Sequence, residues 1–195
     1  MNKLMGFYEL KHSNLPTIPW KEYDEQVMFD PAMLWTVRTA ITRGNDLNLP
    51  RAVGVSSEEA TRFASELSGK LKDNGMVIYY PYFVAEKSGT LNIFQNKIVI
   101  EAVKDDLWNL VTYSDCEVTI IIEDDSTQFV GNDAFIQSAE LQELVDYAHR
   151  AKKMFREDLL EGKSALLEWS YAYNCDLQKQ RLGDKYLVFY EARTV

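Results

Sequence analysis

Three acidic or basic side chains interrupt apolar, β-branched runs in this sequence. Arg38 lies inside LWTVRTAI, Glu168 inside ALLEWSYAY, and Glu191, followed by Arg193, inside LVFYEART. Taking such a charge out of water is costly unless it points to solvent, pairs, or meets a ligand. Strand alternation permits the first outcome, with each charge on a solvated face. The second possibility is that each charge is buried and meets a partner or a ligand. Other chemistries are poorly served. His12 and His149 belong to no Ser–His–Asp or Cys–His pattern, and His149 falls on the polar side of a helical repeat beside Arg150 and Lys152. Cys116 and Cys175 are too few for a zinc site or a disulfide framework and read as reduced thiols. Neither a Gly-x-Gly-x-x-Gly fingerprint nor a P-loop is present.

The elements that must position these residues follow from periodicity and punctuation. Leu4, Phe7, Tyr8 and Leu10 recur at helical spacing within 3–11, and Pro16 and Pro19 end that helix and force an extended segment through LPTIPW. Residues 34–41 predict a buried strand carrying Arg38, and 43–54 (RGNDLNLPRAVG) predict a loop. Ser56 and Glu59 form a capping box for a helix with Ala60, Phe63, Ala64, Leu67 and Leu71 on one face, closing at Asn74-Gly75. Strands are predicted at 76–84, 90–94 and 97–103, with turns at 86–89 (EKSG) and near Asn96. Another strand is predicted at 117–122, followed by an exposed turn at EDDS. Ser138 is placed to cap a long helix with Leu141, Leu144, Val145, Ala148, Phe155 and Leu159 on its apolar face. Two last strands, 165–173 and 186–192, flank a polar connection, NCDLQKQRLGDK. Strand clusters broken by a few helices predict an α+β fold with a mixed or antiparallel sheet carrying helices.

Length and composition fit this reading. A chain of 195 residues is expected to form a single domain over 1–195, and 46% hydrophobic, 26% charged and 12% aromatic content predicts a packed core. No apolar run approaches the roughly 20 residues that cross a bilayer. The N-terminus lacks the apolar stretch and small-residue cleavage site of an export signal, so a cytoplasmic location is expected. A net charge of −9 argues against nucleic acid or an anionic membrane as partner. A small phosphate ligand is compatible with it, because a few well-placed cations suffice.

The residues singled out above also carry a family pattern. KLMGFYELKHSNLPTIPW resembles the opening of the ATP-binding domain of phosphoenolpyruvate synthase and pyruvate phosphate dikinase, with Lys3, Phe7, Glu9, Leu10, Leu15 and Pro16 at matching spacings. TVRTAITRGNDL resembles the family's Val-Arg-Ser-Ser-Ala-Thr-x-Glu-Asp-Leu, which puts Arg38 on its phosphate-binding arginine. VIYYPYFVAEKSGTL, IVIEAVKDDLWNLVT, LLEWSYA and VFYEARTV are similar, in the same order, to later strands of that domain. The resemblance implies an ATP-grasp-like fold of two small lobes with mostly antiparallel sheets. It implies ATP and Mg2+ as ligands, with Glu168 and Glu191 on the metal, and Lys3, Arg38 and Arg193 on the phosphates. Arg38 and Arg193 would act in catalysis, and Tyr80 and Tyr82 would wall the adenine. The implied activity is that of a stand-alone phosphotransferase, a kinase acting on a separate protein or small-molecule acceptor. The alternative is a non-catalytic nucleotide-sensing or structural module. Departures from the pattern bear on that choice: Glu191 stands where the family has Gln, and Asp105-Asp106-Leu107 replace Gly-Leu-Gly.

Overall fold

The computed structural model of the chain describes residues 1–42, 49–71, 74–113, 116–124 and 126–195. Helix α1 (Lys3–Lys11) starts at Asn2, whose side-chain oxygen accepts a hydrogen bond from the Met5 amide at 3.0 Å. It buries Leu4, Phe7 and Leu10. The proline-bounded segment after it is extended, as expected, and leads into β1 (Lys21–Glu22). Strands β2 (Trp35–Ile41) and β3 (Arg51–Val55), helix α2 (Ser57–Leu71) and strand β4 (Gly75–Pro81) complete the first layer. The four strands form an antiparallel sheet in the order β1-β4-β2-β3. Ser56 and Glu59 make the expected capping box at the start of α2. Ala60, Ala64 and Leu67 of that helix then pack on Trp35, Val37 and Val77.

The chain next forms β5 (Val84–Ile93), β6 (Lys97–Lys104), α3 (Trp108–Tyr113), β7 (Val118–Glu123) and β8 (Ser126–Gly131). Helices α4 (Ser138–Met154) and α5 (Arg156–Leu160) and strands β9 (Ala165–Cys175) and β10 (Arg181–Thr194) follow. These six strands make a second antiparallel sheet, ordered β10-β9-β5-β6-β7-β8. One face carries Leu91, Ile100, Ile120, Leu167 and Phe189 against Leu144, Ala148, Phe155 and Leu159 of α4 and α5. From the other face, Ala172, Val188 and Tyr190 meet Ala40, Ile78 and Tyr80 of the smaller sheet, and α1 joins this layer through Leu4 and Phe7. The outer edge of β10 is covered by the extended segment, where the Phe189 amide donates to the Pro16 carbonyl at 2.8 Å. The architecture is therefore α+β, with two antiparallel sheets and helices packed on them, as expected. No helix among the described residues is long and apolar enough to cross a membrane.

Several local expectations are corrected. Residues 86–89 are the interior of β5 and form no turn: Gly89 lies flat against Trp169, whose ring would be 2.5 Å from any Cβ placed there. The apolar run 76–84 divides at Tyr82 and Phe83, with Pro81 closing β4 and Val84 opening β5. Residues 51–54, expected in a loop, lie in β3, while 43–48 fall outside the described residues, as does Asp125 of the EDDS turn. Gln137 caps α4 where Ser138 was expected, its amide donating to Glu140 at 2.9 Å. The last two strands extend through most of the polar connection, and β8 and α3 had no counterpart in the reading of the sequence.

Candidate ligand-binding site

The two sheets enclose a cavity of about 720 Å3. Alternation along β2 turns Thr36 and Arg38 toward it, while Trp35 and Val37 face α2. Strand β3 adds Arg51, the register partner of Arg38, and the start of α1 adds Lys3. The position of α1 depends on Gly6: a Cβ there would lie 1.8 Å from the Ala192 carbonyl oxygen, so only glycine lets the helix sit this close to β10.

Strands β9 and β10 supply Glu168, Ser170, Glu191 and Arg193. Leu187 and Phe189 of β10 face the helix-side core, and unbroken alternation would send Glu191 there as well. A register shift at Tyr190 prevents this, since Phe189 pairs with Trp169 and Glu191 with Glu168. The extra residue is a β-bulge that turns Glu191 and Arg193 into the cavity and places Glu191 beside Glu168.

Arg38 Nη2 donates to Glu191 Oε2 at 2.6 Å, and Lys3 Nζ lies 3.1 Å from Glu191 Oε1. The Glu191 side chain is only 2% exposed. Burial by itself would raise its pKa, but Arg38 and Lys3 together outweigh that and hold the carboxyl below its ordinary value. Glu168 moves the other way. Burial, followed by the negative charge of Glu191, pushes it up to about 7, against the opposing pull of Arg38, Lys3 and Arg193. For Arg38, burial works against the charged form, but Tyr80, Glu191 and Glu168 more than compensate, so the guanidinium stays charged. The solvated-face alternative is thus excluded for Arg38 and Glu191, which are buried against each other.

All seven residues singled out in the sequence, Lys3, Arg38, Tyr80, Tyr82, Glu168, Glu191 and Arg193, line this cavity. Tyr80 does so from within the inter-sheet core, where burial raises its phenol pKa and keeps it neutral. Arg51, Asp106, Trp108 and Tyr190 line the cavity too, although sequence reasoning did not select them. Arg51 stood in an expected loop, and its pairing with β2 was the missing signal. Its guanidinium lies 4.6 Å from the centre of the Trp108 ring, and among the described residues no carboxylate pairs with it. Tyr82 and Phe83, which also line the cavity, stack at 6.5 Å between centroids.

This arrangement suits an anion accompanied by a hard cation. Like charges facing each other on neighbouring strands are destabilising, so the Arg38–Arg51 pair favours an anion between them. Among the described residues no three His, Cys, Asp or Glu side chains cluster as a metal cage. Glu168 and Glu191 offer two carboxylates, enough for a cation such as Mg2+ that takes its remaining ligands from water and phosphate.

No known family model matches the chain, and no curated protein sequence matches it. Among solved structures it is similar to D-alanine–D-alanine ligase from Bacillus anthracis, with a TM-score of 0.49 and 13% identity over 100% of this chain and 56% of that one. A structure of the ligase complexed with ATP gives a TM-score of 0.45 and 14% identity, covering 98% of this chain and 53% of that one. The macrocyclase MdnC from Microcystis aeruginosa, bound with its precursor peptide MdnA, gives 0.43 and 10%, covering 97% and 51%. The chain spans about half the length of each of these structures.

Proposed function

We propose that this chain binds ATP with Mg2+ in the cavity between its sheets. The observation that carries the reading is the convergence of Lys3, Arg38, Arg51 and Arg193 on one cavity in a chain of net charge −9. Four cations gathered against that background, two of them register partners, fit a polyphosphate better than a neutral ligand. Arg38 and Arg51 offer forked donors to phosphate oxygens, while Lys3 and Arg193 add charge. Glu168 and Glu191 are the residues that would hold Mg2+, whose contribution when bound is to neutralise phosphate charge. Phosphoryl transfer to a separate acceptor, protein or small molecule, is the reaction that the phosphoenolpyruvate synthase resemblance implies. In it these cations would stabilise charge on the transferring group.

A second reading is favoured by the closed Arg38–Glu191–Lys3 contact, which already pairs two of the cations. Here the chain binds nucleotide without turning it over, and the ion pairs tie the sheets together. Calorimetric titration with ATP in the presence and absence of Mg2+ tests binding, and ADP release tests turnover. Metal-dependent binding is expected. No heat at millimolar ATP with Mg2+ would overturn both readings, and binding without ADP release in the presence of candidate acceptors supports the second.

A further inference from the structure

We propose that Trp108 is a ligand-binding residue whose indole stacks on the planar ring of the ligand, so that the cavity takes a base beside the cations that hold the phosphates. The inference rests on the nucleotide reading and gives a role to a lining residue that the charged residues leave unexplained. Of the four tryptophans, Trp20, Trp35 and Trp169 are 4%, 9% and 0% exposed, whereas Trp108 is 44% exposed and lines the cavity. Its exposure is not fraying of a loose segment. The preceding Leu107 is buried in the inter-sheet core, the Trp108 amide donates to Asp106 Oδ1 at 2.8 Å, and Asn109 Nδ2 donates to the Lys104 carbonyl at 3.1 Å. Contacts of Leu107, Trp108 and Asn109 thus hold the residues around the indole, and the ring lines the cavity. Arg51 sits over that ring at 4.6 Å and is also the register partner of Arg38, so the indole adjoins the cations proposed for the phosphates. An indole held in this way stacks on any planar base, and such stacking is sequence-tolerant and substantial.

The distribution of tryptophans makes the test selective, because acrylamide, a neutral quencher, reaches Trp108 far better than the three buried indoles. ATP and inorganic tripolyphosphate, each with Mg2+, are titrated into the intact chain. Both are expected to bind, and only ATP is expected to shield Trp108 from quenching. Trp108→Ala should weaken ATP binding by about tenfold, leave tripolyphosphate affinity unchanged, and be largely rescued by Trp108→Phe. If ATP binds while acrylamide access to Trp108 and the affinity of Trp108→Ala stay unchanged, the ring is a surface partner of Arg51 alone and the inference falls, with the nucleotide reading intact. If neither ATP nor tripolyphosphate binds, both fall. Should Trp108→Ala fail to fold, the quenching comparison on the unaltered chain decides by itself.

Discussion

An arginine and a glutamate buried together respond differently to truncation and to conservative replacement. Arg38→Ala leaves Glu191, almost wholly buried, with Lys3 as its cation, and breaking a buried pair in this way costs about 3–5 kcal/mol. Arg38→Lys retains the charge and loses the forked donors. It should stay folded and lose about 2 kcal/mol of ATP affinity, the scale of a charge-assisted hydrogen bond. Thermal denaturation and calorimetry on the two variants separate these effects, and full ATP affinity in Arg38→Lys would rule out a phosphate contact. Glu168 adds a pH dependence of definite sign. Its value in the folded chain, about 7, lies above the ordinary 4.5, so the folded state keeps a proton that the unfolded chain releases between these values. The stability from Glu168 is therefore fully present below about pH 4.5 and is lost as pH rises through about 7. Glu191, shifted downward, contributes stability above its ordinary value that is lost on acidification. Urea midpoints measured from pH 4.5 to 7 should decline less steeply in Glu168→Gln than in the unaltered chain; parallel curves would show that Glu168 is not the group responsible.

At the scale of elements, two close approaches and one bulge set the site, and they were unequally legible. The helix that carries Lys3 and the strands that carry Arg38 and Glu168 could be read from apolar spacing and proline stops, because those signals are local. Glu191 was selected for its charge, but period-2 alternation with Phe189 points it into the helix-side core; only the bulge at Tyr190, set by pairing with β9, brings it to the cavity. Gly89 misled in the same way. Lys-Ser-Gly reads as a turn, whereas the glycine is required by the Glu101 carbonyl on the neighbouring strand and by Trp169, a residue 80 positions away in sequence. Gly6 gives the test at this scale. A methyl group at Gly6 meets the Ala192 carbonyl, so α1 must lift from β10 and carry Lys3 away from Glu191. Gly6→Ala should lose about 1–3 kcal/mol of stability, the usual cost of overpacking, and bind ATP more weakly. Unchanged urea midpoints would mean that the helix accommodates the methyl group without moving.

Across the whole molecule, charged networks lie on both faces of the larger sheet, and their roles can be separated. On the cavity face, Arg38 from the smaller sheet meets Glu191 from the larger one, so a ligand there touches both sheets and should stabilise the fold by mass action. On the opposite face, Glu140 of α4 accepts from Lys87 at 2.6 Å and from Lys185 at 2.8 Å, and none of these three residues lines the cavity. Lys185 also reaches Glu86 at 3.1 Å, which joins the helix layer to the ends of β5 and β10. Burial alone would raise the Glu140 carboxyl, but Lys185 and Lys87 outweigh it and hold the pKa below the ordinary value. The stability it contributes is therefore present at neutral pH and lost as pH falls through that lowered value. Glu140→Gln removes the negative charge that neutralises the buried Lys87, and leaves it the weaker company of an amide and the Phe135 ring at 5.3 Å. It should cost about 3–5 kcal/mol near pH 7, as for other broken buried pairs, with the deficit shrinking in acid. ATP affinity should be unchanged while the protein remains folded. If Glu140→Gln instead weakens ATP binding as much as Arg38→Lys does, the loss reports general damage to the fold, and Arg38 can no longer be assigned to the phosphates on affinity alone.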